Sequence, residues 1–147
     1  MTIALVEKKS LLLQKIDEAR NAQGVEQALL QAIQPLGLIS IFGGLVPRHS
    51  VSPTEVTQRI LLRKSPEGWR ERYIERSYII KDPIIERLEW DRRSFTWTES
   101  ASTCRDHSKI DLVGNEAASF GLHDGFVVPI TLPDRIAALE TEQGEIR

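Results

Sequence analysis

Apolar positions along the first part of the chain recur at helical spacing. Leu5, Leu12, Ile16 and Ala19 fall seven, four and three apart, with Leu11 and Leu13 widening the stripe. This predicts a helix that Gly24 ends. A second helix is predicted over residues 25–36, with Val25, Leu29, Ala32, Ile33 and Leu36 on one face and Gly37 as its stop. The period then changes, and residues 38–42 form a short β-rich run closed by Gly43-Gly44. Residues 47–53 read as a polar loop. Residues 56–62 read as a second strand, paired antiparallel with the first.

Pro66 opens a third helix, at a position where its missing N–H costs nothing. That helix carries Trp69, Tyr73 and Ile80 on roughly one face. Asp82-Pro83 breaks it and starts a short helix through Trp90, with Asp as N-cap. Residues 94–98 read as a short aromatic strand or turn and residues 99–108 as a polar loop. Residues 110–120 form a helix with Ile110, Val113, Ala117 and Phe120 as its apolar stripe, stopped by Gly121. A strand over 125–132, a turn at Pro133-Asp134 and a returning strand over 135–141 follow. The last six residues, 142–147, are polar and expected to fray. Helices alternating with hairpins in this order predict an α+β fold, an antiparallel sheet covered by helices.

A length of 147 residues fits one domain spanning residues 1–147. Hydrophobic residues at 41% and charged residues at 27% place it among soluble globular proteins and exclude wholesale disorder. The net charge of −2 provides no basic surplus of the kind a DNA-gripping domain carries. The single cysteine, Cys104, excludes an internal disulfide framework and suits a reducing, cytoplasmic setting. The apolar start is cut off by Glu7, Lys8 and Lys9, so no secretory signal is read. Residues 27–47 are uncharged and about as long as a membrane span. Pro35, Gly37 and three Gln punctuate them, and they read as the end of a helix followed by a buried strand.

The candidate chemistry gathers at Trp69, Tyr73, Asp82 and Trp97. Trp69 and Tyr73 stand four apart and share a helix face. Each combines an apolar body with a polar tip, suited to orienting a ligand in an apolar cavity. A carboxylate such as Asp82 among aromatics is costly to bury unless it bonds a donor, which a ligand amide would supply. The plainer reading makes the aromatics core and Asp82 only the cap of the helix at Pro83.

The string Trp69-x3-Tyr73, Asp82-Pro83, Phe95-x-Trp97, Phe120-Gly121-Leu122 with Gly125 and Pro129 resembles the autoinducer-binding domain of LuxR-type quorum-sensing regulators. The resemblance covers nearly the whole chain. It implies an α-β-α sandwich with a central antiparallel sheet flanked by helices, and an N-acyl-homoserine lactone held between the sheet and one helix layer. It implies that Trp69 donates its indole N–H to the lactone carbonyl and that Asp82 accepts from the ligand amide. Tyr73 would line the acyl chain, and Trp97, after Phe95, would pack on the lactone ring. Many family members place a Tyr one turn before the Trp, bonded to the acyl carbonyl. Here Ser65 stands at that position and is too short, so a residue near Thr141 or a bridging water is expected to help. Family regulators also carry a C-terminal helix-turn-helix, and a further strand and helix are expected after Thr141. The chain is therefore expected to be truncated at its C-terminus.

Other clusters point to no chemistry. Cys104, Asp106 and His107, with His123 and Asp124, have no recognised metal-ligand or nucleophile–base spacing. Arg87, Arg92 and Arg93 are interleaved with Glu86, Glu89 and Asp91 as on a solvated face. Gly43-Gly44 lacks the context of a phosphate loop. The expected function is a ligand-sensing domain, not an enzyme, with neither cofactor nor metal. Its expected partners are the lactone and a second copy or a full-length regulator. A decoy that forms inactive heterodimers with such a regulator is the alternative.

Overall fold

The computed structural model describes residues 2–47, 52–133 and 136–144, with side chains as far as Glu140. Among these residues the chain forms helices α1 (Ile3–Glu18) and α2 (Ala22–Ile33), strand β1 (Leu38–Leu45), helix α3 (Pro53–Arg59) and strand β2 (Ile60–Lys64). Helices α4 (Trp69–Glu75) and α5 (Pro83–Leu88) follow, then strand β3 (Phe95–Thr96) and helices α6 (Trp97–Thr103) and α7 (His107–Ser119). Strands β4 (Leu122–Thr131) and β5 (Ile136–Gly144) close the order. The strands make one antiparallel sheet in the order β2-β1-β5-β4-β3. The fold is α+β, with helices on both faces of the sheet.

Strand parity sorts the sheet into two faces. Phe42, Glu140 and Val127 lie side by side across β1, β5 and β4 and belong to the face under α4–α7. Ile41, Thr141 and Phe126 form the alternate row. The main core joins Val56, Ile60, Trp69, Tyr73, Tyr78, Val113, Ala117 and Leu122. A neighbouring cluster joins Ile84, Leu88, Phe95 and Val127. Helix α2 lies against β1 and β2 and buries Ala28, whereas α1 packs on α2 and buries none of its residues. Of the predicted stripe of the first helix, Leu12, Ile16 and Ala19 are half-buried, whereas Leu5, Leu11 and Leu13 are exposed.

Several boundaries differ from the sequence reading, each for a local reason. Gly24 lies inside α2. The first helix stops at Ala19, and Asn21 caps the second by accepting from the Gly24 N–H at 2.9 Å. Gly43 and Gly44 lie within β1, where the pairing with β2 shifts between them. The predicted strand over 56–62 is a helix as far as Arg59, because Ser52 caps it by accepting from the Glu55 N–H and Pro53 fills the first turn. The strand begins only at Ile60. The third helix begins at Trp69 rather than Pro66. It ends before a 3₁₀ turn at Tyr78–Ile80 in which Tyr78 is buried and Ile80 exposed. The polar stretch over 99–108 is mostly helix, since Thr96 and Glu99 cap α6 reciprocally and Asp106 caps α7. Strand β4 starts at Leu122 rather than at Gly125, and Glu142, Gln143 and Gly144 pair in β5. The predicted stops at Gly37 and Gly121 do take positive φ, 81° and 85°. Most of the predicted 47–53 loop, and Asp134 and Arg135 of the predicted turn and strand, lie outside the described residues.

Candidate functional site

A cavity of about 210 Å³ opens between the sheet and the helices α4–α7. Phe42 and Glu140 line it from the sheet, Trp69 and Tyr73 from α4, and Asp82, Pro83 and Ile84 from the start of α5. Trp97, Ser100 and Ala101 on α6 and Ile110, Val113 and Ala117 on α7 line it further. His123 and Asp124 stand at the start of β4. A second, smaller hollow of about 50 Å³ lies next to it and shares Phe42, Tyr73, Ile84 and Glu140 as a common wall. The rest of that hollow is largely apolar, with Val56, Ile60, Leu88 and Val127 among its walls.

The aromatic side is a packed cluster. Trp69 and Tyr73, 5% and 6% exposed, meet edge-on at 5.7 Å between ring centroids. Phe42 meets Tyr73 in the same way at 5.7 Å, and Phe120 packs on Trp69 at 5.5 Å. Such contacts hold each ring in one orientation.

Asp82 is the buried charge of the site. Its Oδ1 accepts from the backbone N–H of Ile84 at 2.9 Å and caps α5, while its Oδ2 accepts from the Tyr73 hydroxyl at 2.7 Å. Burial pushes its carboxyl up to about 6, although both hydrogen bonds favour the charged form. Burial, and then the Asp82 charge, hold the Tyr73 hydroxyl well above its ordinary range, so it remains a donor. Asp82 thus caps α5 and lines the cavity at once. A carboxylate offers about four acceptor positions, and the two bonds leave others for a ligand.

Trp97 contributes something the sequence reading did not anticipate. Trp97 lines the cavity from α6, and its indole Nε1 is buried with no hydrogen-bond partner among the described residues. A buried donor without a partner costs about 1–3 kcal/mol. An acceptor on a ligand in the cavity would remove that cost.

Other predicted site residues are placed elsewhere. Phe95 is buried in the neighbouring core cluster under the Arg87 guanidinium, away from the cavity wall. By register it stands in the row of Phe42, Glu140 and Val127, on the cavity face, but at the edge strand β3, beyond the cavity wall. Ser65 precedes the late start of α4 and lines a separate, open hollow with Arg63, Glu67 and Arg70. Thr141 stands opposite Ile41 and Phe126, in the row alternate to Glu140, and its side chain lies outside the described residues. Glu140, His123 and Asp124 were missed as cavity residues. The period-two run Ala138, Glu140, Glu142 was the available signal, but its direction depends on the register with β1.

Among the described residues no group of three or more His, Cys, Asp or Glu is arranged to hold a metal ion. No described helix is long and apolar enough to cross a membrane.

Comparison with known proteins gives a consistent result. A family model described as the autoinducer binding domain matches residues 22–140. The transcriptional activator protein BjaR1 of Bradyrhizobium diazoefficiens is 29% identical over 73 residues, which span 50% of this chain and 30% of that protein. The chain thus matches less than a third of the length of this relative. The N-acylhomoserine lactone dependent LuxR family transcription factor CepR2 of Burkholderia cenocepacia superposes with a TM-score of 0.74 at 19% identity, covering 97% of this chain and 79% of that one. SdiA, a protein of Escherichia coli, in complex with octanoyl-rac-glycerol superposes with a TM-score of 0.70 at 16% identity, covering 100% of this chain and 57% of that one. At these identities the two structures show a shared fold.

Proposed function

The chain belongs to the autoinducer-binding domain family, and from that premise we propose that it is the ligand-sensing domain of a LuxR-type regulator and binds an N-acyl-homoserine lactone in the cavity between sheet and helices. The family is one of ligand-binding domains of transcription regulators. The observation that carries the proposal is that Asp82 and Trp97, whose Nε1 has no partner among the described residues, line one largely apolar cavity. An acylated amide offers one donor and at least one acceptor. Asp82 accepts the amide N–H, and the indole groups of Trp97 and Trp69 face the ligand's carbonyls. Tyr73 keeps Asp82 oriented through its 2.7 Å hydrogen bond and lines the start of the acyl chain. The relatives support the reading, since one is named as acylhomoserine lactone dependent and another holds an acylated glycerol.

The output follows from linkage. A ligand that binds only the folded chain stabilises it by about 2.7 kcal/mol at one hundred times Kd. No catalytic step is needed, the ligand stands in place of a cofactor, and the reading sets the protein in the cytoplasm.

Equilibrium titration with octanoyl-homoserine lactone tests the proposal on wild type, Trp97→Phe, Trp69→Phe and Trp90→Phe. Trp90 is 58% exposed and outside the cavity, so its variant should bind as wild type does. The two cavity variants should bind about tenfold more weakly, the worth of one buried hydrogen bond. Equal affinity in all four proteins, or no binding to any, would refute it.

A further inference from the structure

The strand register, rather than any single motif, decides which polar group of β5 faces the cavity. Phe42, Glu140 and Val127 form one row, and Phe42 and Glu140 both line the main cavity. Resting on the lactone reading above, we propose that Glu140 is the specificity-determining residue of this site and selects ligands that carry a hydrogen-bond donor near the start of the acyl chain, a 3-hydroxyl in preference to a 3-oxo group.

Three observations place Glu140 beside that part of the chain. The polar head has its partners, Asp82 and Trp97, in the larger cavity. The neighbouring hollow offers apolar walls of Ile60, Leu88 and Val127 for the tail. The wall common to the two consists of Phe42, Tyr73, Ile84 and Glu140. A chain running from one into the other passes Glu140 within a few bonds of the amide, because Tyr73 in the shared wall bonds Asp82 at 2.7 Å. Glu140 is also near enough to Tyr73 for its charge to oppose ionisation of that phenol.

The chemistry then discriminates by donor count. An ionised carboxylate only accepts, and it has about four acceptor positions, so it can serve a ligand alongside a partner in the protein. A hydroxyl on the chain donates to it in a charge-assisted bond. A ketone at the same carbon brings only lone pairs. It desolvates the carboxylate and returns no donor, which leaves both oxygens worse off than in water. An unsubstituted chain falls between the two.

The test is a titration at pH 7.5 of the full chain with N-octanoyl-, N-(3-hydroxyoctanoyl)- and N-(3-oxooctanoyl)-homoserine lactone. Methyl 3-hydroxyoctanoate and methyl 3-oxooctanoate carry the same two groups on a chain without a lactone. Wild type and Glu140→Gln are compared, and unliganded melting checks that the variant is folded. Wild type should prefer the hydroxy over the oxo lactone by about tenfold or more. In Glu140→Gln, whose amide both donates and accepts, the ratio should fall toward one. Lactones that bind wild type with the oxo form as tight as the hydroxy form would overturn the Glu140 inference and leave the lactone reading intact. So would a ratio unchanged by Glu140→Gln. If no lactone binds but methyl 3-hydroxyoctanoate outbinds methyl 3-oxooctanoate in a Glu140-dependent way, the selectivity inference stands and the lactone reading falls. Binding of none of the five sinks both. Should Glu140→Gln fail to fold, the wild-type ranking decides alone.

Discussion

Replacing Asp82 by Asn should stabilise the unliganded protein at neutral pH while removing its ligand response. Burial lifts the carboxyl from 3.8 to about 6. In the unfolded chain the group keeps its ordinary value. Below pH 3.8 it is neutral in both states and costs nothing. As pH rises from there to about 6, the unfolded chain loses a proton that the folded chain keeps, and folding stability declines. Above pH 6 the folded state holds a buried charge and the full cost is felt. Each tenfold change in proton affinity is worth about 1.4 kcal/mol, so that cost is on the order of 3 kcal/mol. Asn keeps its oxygen for the Ile84 N–H, turns its amide nitrogen to donate to the Tyr73 hydroxyl oxygen, and cannot ionise. Urea denaturation of wild type and Asp82→Asn across pH 4 to 8 measures the gap. The variant should be more stable by up to about 3 kcal/mol at pH 7.5, with the gap shrinking below about 1 kcal/mol near pH 4. Tyr73→Phe should destabilise wild type at pH 7.5 more than it destabilises the Asn variant, since the hydroxyl supports the charge. Equal stabilities at pH 7.5, or a gap that does not depend on pH, would refute the reasoning.

Three further outcomes follow from the scaffold. Arg87→Ala should lower the melting temperature by roughly 10 °C or more, and Arg87→Lys should not restore it. The guanidinium bonds Asp91 at 3.0 Å, the Glu99 carbonyl at 2.7 Å and Thr103 at 3.1 Å, and it stacks on Phe95 and Trp90. Gly44→Ala should abolish soluble expression or destabilise far more than Gly43→Ala, read by denaturation of both. A methyl at 44 would sit 2.0 Å from the Arg59 carbonyl oxygen, whereas at 43 the tightest contact is 3.1 Å. Thr96→Ala should cost about 1 kcal/mol in denaturation and weaken lactone binding in titration, because the Thr96–Glu99 capping box starts the helix that carries Trp97 to the cavity.

What was legible in the sequence was what local chemistry decides. The stops at Gly37 and Gly121 and the capping of α5 by Asp82 need only a few neighbouring residues, and all three occur. Two caps were legible and overlooked. Ser52-Pro53-x-Glu55 lost to the β-branched content of the residues after it. Thr96-x-x-Glu99 lost to the polarity of residues 99–108. The site divides in the same way. Trp69, Tyr73, Asp82 and Trp97 stand on the cavity wall because helix faces and helix starts place them. Ser65 does not, since α4 begins only at Trp69, and Phe95 does not, since its place depends on the strand order of the sheet. Glu140 could not be chosen over Thr141 without the register, because a shift of one residue turns every side chain of a strand to the other face. The unpartnered Trp97 nitrogen is likewise a property of packing among distant segments, and no motif signals it.

Thermal melting of the purified chain with and without a panel of N-acyl-homoserine lactones tests the central claim most directly. The account predicts a melting temperature that rises with the logarithm of ligand concentration above Kd and depends on the acyl chain. A chain that melts cooperatively at one temperature, whatever lactone is added and at whatever concentration, would contradict it.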